Sequence, residues 1–273
     1  MGDIMTNIDD IVTYISTAYK LPSSIHSPAH SLTTNTSSMS TRIPSHCRAT
    51  VNESNNVRLF FITAPKTRDH LPKIPPKYKD GDIVIVDPAD IYTDHVQFIK
   101  QSGYHVYARI SAGAAKHYVI HESPSLLGSI YGDNVNMQWI RLATHRKLEA
   151  HFAAMYARVK TMGFDGVYMT DVDMVSKVPE NTDMEAELVQ YIKMHYKKAY
   201  KHELPLILDV SPSLVRLNGV LDHIFAYFCG FHFDHGTCTE TVSCRMFASL
   251  QSLLNKIVER GCDIWHANET ATC

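Results

Sequence analysis

The chain has 273 residues, of which 45% are hydrophobic and 20% charged, with a formal net charge of −2. That length allows one large domain or two small ones, and the composition excludes a wholly disordered chain, a collagen and a coiled coil. The near-neutral charge gives no basic footprint for DNA or RNA, and no window reaches the ~18 consecutive apolar residues of a membrane span.

In residues 1–20, Ile4, Ile8, Ile11 and Ile15 recur at helical spacing, which predicts an amphipathic helix packed on the main domain. The same stretch carries Asp3, Asp9 and Asp10 and lacks the basic start and unbroken apolar core of a secretory leader. A cytoplasmic location with reduced thiols is therefore the default expectation. Residues 21–56 are rich in Ser, Thr, Pro and Asn, read as a linker and are expected to be dispensable for folding. The main domain is expected over residues 57–273.

From residue 57 the pattern becomes regular. Compact apolar runs predict strands at 57–63, 82–87, 105–111, 166–171, 205–210, 223–229 and 262–268. A helix over 91–102 is expected from Tyr92, Val96 and Ile99. A long helix should follow strand three and run to about Met162, with Leu148, Phe152, Met155 and Val159 on one face. Thr182-Asp183-Met184-Glu185 reads as a capping box opening a helix that carries Leu188, Tyr191 and His195. Met246, Leu250, Leu253 and Ile257 mark another helix. Strands without clean alternation, separated by helices, imply parallel pairing with both faces buried. That fits a (β/α) TIM-type barrel or a doubly wound open sheet. The barrel is preferred. With seven strands it is incomplete, or an earlier segment closes it.

In such a barrel function gathers where the strands end. Asp87 ends strand two, Arg109 and Ser111 strand three, Asp171 and Asp173 strand four, and Asp209 strand five. Tyr227 and Cys229 end strand six, and His266 and Asn268 strand seven. Asp also favours helix N-caps, so Asp87 and Asp209 each have a structural alternative. Asp165 precedes strand four and belongs to the opposite, stabilising rim. Two carboxylates across a cleft can divide acid and base or nucleophile roles in glycosidic cleavage. No P-loop, GxGxxG, GxSxG or HExxH motif occurs. Cys229, His232, His235 and Cys238 form a ligand set suited to zinc, but their spacing is not that of a finger. No metal and no cofactor are expected.

The segment Gly163-Phe164-Asp165-Gly166-Val167-Tyr168, followed by Asp171-Val172-Asp173, resembles the signature of the glycoside hydrolase family 114 barrels, the endo-α-1,4-polygalactosaminidases and their relatives. Ile85-Val86-Asp87 resembles that family's second strand. Val106-Tyr107-Ala108-Arg109-Ile110-Ser111-Ala112-Gly113 resembles its third, and Leu221-Asp222-His223-Ile224-Phe225-Ala226 the strand before its second acidic site. The resemblance implies a TIM-type barrel acting on amino-sugar polymers, or descended from enzymes that do. Two positions depart from it. The family's strand-four Asp falls on Thr170, one residue before Asp171, and its later Glu falls on Tyr227 or Gly236. The resulting expectation has Asp171 or Asp173 as proton donor or nucleophile. Asp87, Arg109, Ser111, Asp209 and Tyr227 would contact sugar hydroxyls or amines. The partner would be a polysaccharide and not a nucleic acid. The alternative is a catalytically inactive carbohydrate-binding or interaction module on the same barrel.

Overall fold

The computed structural model describes residues 58–63, 70–74, 81–116, 127–132, 134–233, 263–266 and 270–272. The expected N-terminal helix, the linker and the helix around Leu250 lie outside the described residues. So do His235 and Cys238 of the zinc alternative.

Among the described residues, eight parallel strands make the main sheet. They are β1 (Leu59–Phe61), β2 (Ile83–Val86), β3 (His105–Ser111), β7 (Gly166–Thr170), β8 (Leu206–Val210), β9 (Gly230–Phe233), β10 (Asp263–His266) and β11 (Thr270–Thr272). Their order is β10-β9-β8-β7-β3-β2-β1-β11. β10 and β11 hold the two edges, yet only three residues separate them in the chain. At ~3.3–3.6 Å per residue the edges lie within about 15 Å of each other, so the sheet is curled into a ring. Among the described residues no ladder joins β10 to β11. The architecture is an incomplete (β/α) barrel, and its eighth strand is β11 at the C-terminal end.

The core has two parts, as a barrel requires. Outward-facing Val84, Val86, Val106, Ala108, Ile110, Val167, Met169 and Leu208 pack under a helical layer. That layer comprises α1 (Thr93–Gln101), α2 (Glu149–Thr161), α4 (Glu185–Lys201), α5 (Pro212–Arg216) and α6 (Asn218–Ile224), with the single-turn α3 (Met174–Lys177) after β7. Inward-facing Leu59, Ile83, Ile85, Tyr168 and Ile207 make a separate apolar plug, with Phe61 and Tyr107 against it.

Three expectations need correction. The described residues of the segment 114–140 are not helical. They form a three-stranded antiparallel sheet of β4 (Ala114–Lys116), β5 (Leu127–Tyr131) and β6 (Asn134–Ile140), in the order β4-β6-β5. A 3-10 segment, Leu142–Leu148, then leads into α2. The hairpin turns at Gly132, whose φ of 54° suits a residue without a Cβ. Residues 223–229 are not the sixth strand. They end α6 and form a 3-10 turn, Phe225–Tyr227, and the strand begins at Gly230. The capping box before α4 does not form. Asp183 takes a left-handed φ of 62° and the N-cap is Met184, with no side-chain bond.

The rim of strand N-termini is held by Asp165. It accepts from Lys100 Nζ at 2.7 Å and from the Val106 N–H at 3.0 Å, and lies 3.7 Å from His105 Nδ1. Burial alone would raise its pKa, but hydrogen bonds from His105, Lys100 and Val106 outweigh that and hold it below the usual carboxylate value. Asp165→Asn should lower stability by about 1–3 kcal/mol, the scale of a charged hydrogen bond. Chemical denaturation would show this as a lower midpoint. Asp165 stabilises the fold fully above its unfolded pKa, and this contribution fades as pH falls through the lower folded value.

A second pH lever lies under the helices. His195 is fully buried against Phe152, with ring centroids 4.2 Å apart, and its Nδ1 is 3.0 Å from the Tyr156 hydroxyl. Burial, aided by the His145 charge, pulls its pKa down to about 3. The unfolded chain binds this proton near pH 6.5 and the folded one does not. Stability is therefore complete above pH 6.5 and is lost as pH falls towards 3, at up to about 1.4 kcal/mol per pH unit. Melting curves from pH 7 to pH 5 should show the fall, and His195→Leu should flatten it. An unchanged slope in that variant would assign the acid sensitivity elsewhere.

Candidate functional site

Register fixes which residues face the barrel interior. In the parallel ladders Arg109 pairs with Tyr168, Ser111 with Thr170, Tyr168 with Ile207, and Asp209 with His232. Side chains alternate along a strand, so Arg109, Ser111, Thr170, Asp209 and His232 share the inner face with the plug. The interior is thus apolar at the N-terminal end of the strands and polar at the C-terminal end. Arg109 is exposed although it faces inward, so this end of the ring is open to solvent.

The end of β7 carries the main feature. Thr170 continues the strand on the inner face, and Asp171 leaves it with a left-handed φ of 61°. This turn overrides the simple alternation that would have pointed Asp171 away from the cleft. Its carboxylate accepts from the Thr170 hydroxyl at 2.8 Å and from the Tyr131 hydroxyl at 2.7 Å. Both bonds fix its orientation. Tyr131 ends β5 of the inserted sheet, and its ring lies 4.7 Å from that of Trp139. Burial and the bond to Asp171 push the Tyr131 phenol well above its usual pKa, so it stays a donor throughout the physiological range.

The Ser111-Ala112-Gly113 motif has a steric reason. The Ala112 N–H donates to Thr170 O at 2.9 Å, and the Tyr191 hydroxyl donates to Ala112 O at 2.6 Å. These draw the end of β3 against the end of β7. A Cβ on Gly113 would overlap the Asp171 carbonyl oxygen and meet Trp139 at 3.1 Å. Ser111 Oγ accepts from the Ala114 N–H at 3.1 Å and tightens the same turn.

Asp87, Arg109 and Ser111 line one pocket of about 430 Å³, whose apolar wall includes Met137, Phe152 and Met155. Asp87 also accepts from the Ala89 N–H at 2.8 Å, stabilising its own turn. Asp173 reaches the same rim but is buried, and its Oδ2 accepts from Ser211 Oγ at 2.8 Å. Ser211 in turn caps α5 by accepting from Leu214 N–H. The cap after β8 is therefore Ser211 and not Asp209. Asp209 Oδ1 instead lies 3.2 Å from His232 Nδ1.

Tyr227 is not brought to this rim. It precedes β9 and stacks on Tyr196 of α4, with centroids 4.9 Å apart. The reason is the shifted sixth strand, which leaves Tyr227 at the strand's beginning. Tyr131 and His232 are the residues of the site that sequence reasoning did not single out there. Tyr131-Gly132-Asp133-Asn134 is a hairpin signal that points to the first of them. Tyr131→Phe removes one of two donors to Asp171 and should reduce any turnover by about tenfold, at the low end of what a positioned hydrogen bond contributes. Equal initial rates for the two proteins would separate Tyr131 from the site.

The fold is that of an incomplete (β/α) barrel, and solved structures of other proteins share it. Ega3 of Aspergillus fumigatus, determined in complex with galactosamine, matches with a TM-score of 0.57 and 13% identity, over 77% of this chain and 74% of that one. The glycoside hydrolase domain of PelA from Pseudomonas aeruginosa matches with a TM-score of 0.54 and 15% identity, over 76% and 81%. No protein-family model matches the sequence, and no curated protein does.

Proposed function

We propose that this barrel acts on an α-1,4-linked galactosamine-type polysaccharide and cleaves it by carboxylate chemistry at the C-terminal rim. The observation that carries this reading is Asp171, a carboxylate at the end of β7 aimed by the Thr170 and Tyr131 hydroxyls. The segment resemblance to glycoside hydrolase family 114 supports it, as does the fold shared with a galactosamine-bound protein. Asp171 is the reacting carboxylate, proton donor or nucleophile, in this proposal. Asp173, buried on Ser211, holds the segment after β7 in place. Arg109, Ser111 and Asp87 bind sugar hydroxyls from the adjoining pocket. Asp209 takes a substrate amine.

The acid-rich rim suits a cationic sugar. Asp87, Asp171, Asp173 and Asp209 stand at three strand ends, with Arg109 among them. A polymer bearing free ammonium groups meets complementary charge there, and a neutral glucan does not. Co-sedimentation tests this. The protein should be retained by insoluble galactosamine polymer and pass through cellulose and starch, with retention falling as salt rises. Equal retention on all three would remove the amine from the proposal.

A second reading has its own observation. Thr170, and not a carboxylate, occupies the inner-face position at the end of β7. A barrel that retained the cleft and lost turnover would bind the same polymer without cutting it.

A further inference from the structure

The pocket of about 430 Å³ beside the end of β3 is only partly used by the functional reading, which takes its polar edge, Asp87, Arg109 and Ser111. Its interior is built from Ile110 of β3, Met137 and Ile140 of β6, and Phe152, Met155 and Val159 of α2. Ile110, Ile140, Phe152 and Val159 are buried core residues, and Met137 and Met155 pack against the same core. None of the six offers more than a thioether sulfur for hydrogen bonding. A sugar ring pushed among them would leave its hydroxyls unpaired, which is unfavourable. An apolar chain would instead gain by leaving water, and two methionines can adapt their shape to it. The volume falls within the range of small-ligand pockets, which are mostly apolar with a few placed polar groups.

The charge at the mouth is uneven. Arg109 and Arg158 both line the pocket and both are exposed. Neither makes an ion pair among the described residues. Arg109 makes no hydrogen bond there either, and Arg158 has only a long contact from Nη2 to Pro88 O, at 3.4 Å. The Asp87 carboxylate accepts from the Ala89 N–H of its own turn. His151 also lines the pocket, and burial lowers its pKa, so it stays largely neutral near pH 7. Two guanidinium groups therefore stand against one carboxylate that is already hydrogen-bonded. A guanidinium receives a carboxylate through two parallel N–H donors, a geometry that an alcohol or an amine does not match.

We propose that this pocket binds a monocarboxylic acid with an apolar chain, the chain among the α2 and β6 side chains and the carboxylate on Arg109 and Arg158. The proposal goes beyond the glycan reading and does not need it, because neither Asp171 nor Asp209 lines the pocket.

Calorimetric titration of the full chain with decanoate, decanol and acetate tests this, with decanoate kept below its micelle concentration. Decanoate should bind saturably, one per chain, and roughly tenfold or more tighter than decanol, the scale of one charge-assisted contact. Acetate, which has the head and no chain, should show no measurable binding at the same concentrations. Met155→Trp, which fills the interior, should abolish decanoate binding. Arg109→Gln combined with Arg158→Gln should bring decanoate to the level of decanol. If Met155→Trp does not fold, Ala154→Trp, at the exposed edge of the same pocket, replaces it. Equal affinity for decanoate and decanol overturns the carboxylate site, as does a preference for decanoate that survives the double arginine variant. Binding that persists in a folded tryptophan variant, or no saturable binding by the unmodified protein, overturns the pocket assignment. Glycan cleavage is read separately, by reducing-end release, so failure of this site and failure of the functional reading are told apart.

Discussion

Asp171→Asn should reduce glycan cleavage ~10²–10⁴-fold, the cost of losing a general acid or base, while the melting temperature barely moves. The structure makes this substitution unusually clean. Asp171 sits at a φ of 61°, a conformation that Asn adopts more readily than most residues. The amide keeps one acceptor oxygen for one of the Thr170 and Tyr131 hydroxyls, and the other hydroxyl can turn to accept from the amide N–H. Shape and backbone persist, and the charge and titrating proton go. Asp173→Asn should behave differently. Asp173 is 6% exposed and accepts from Ser211, so its amide variant should lose about 1 kcal/mol of stability and only a small part of the rate. Paired initial-rate and melting measurements on the two variants separate the roles. Full turnover in Asp171→Asn would remove the reacting carboxylate from the account.

The second large effect comes from Gly113→Ala. The added methyl would overlap the backbone carbonyl of Asp171 and meet the Trp139 ring. Backbone cannot swing aside as a flexible side chain can. Overpacking of this kind costs about 1–3 kcal/mol, and the displaced segment carries the Asp171 carboxylate away from its donors. Stability and activity should fall together. Gly219→Ala is the control, because nothing lies within 4 Å of its Cβ position, and replacing a helical Gly should stabilise by up to about 1 kcal/mol. Denaturation midpoints and rates for the two variants check the contrast. A neutral Gly113→Ala would show that the two strand ends do not meet as described.

Much of the sheet was legible in the residues. Ile83–Val86, Gly166–Thr170 and Leu206–Val210 are strands buried on both sides, and such strands appear as short apolar runs, while His105–Ser111 alternates buried with more exposed residues. Helix α4 was legible because Leu188, Tyr191 and His195 repeat at helical spacing. The inserted sheet was not. Its strands are short and irregular, with register shifts between β5 and β6, so neither period is sustained. The sixth strand was displaced by the same ambiguity, since His223–Cys229 is as apolar as a strand but is satisfied as helix and turn. Of the candidate site, the position of Asp171 at the rim was legible because carboxylates can be read from strand ends. Its aim was not, because that depends on a single left-handed residue. Tyr131 and His232 meet their partners only through tertiary contacts, 40 residues apart for Tyr131 and Asp171 and 23 for His232 and Asp209.

The most direct test of the central claim is the release of new reducing ends from soluble α-1,4-linked galactosamine polymer by the full chain. Fully N-acetylated polymer serves as the comparison and the Asp171→Asn protein as the blank. The account predicts release from the free-amine polymer, little from the acetylated one, and none above background in the variant. Retention of the polymer with no release would make the protein a binding module. The absence of both retention and release would contradict the carbohydrate assignment itself.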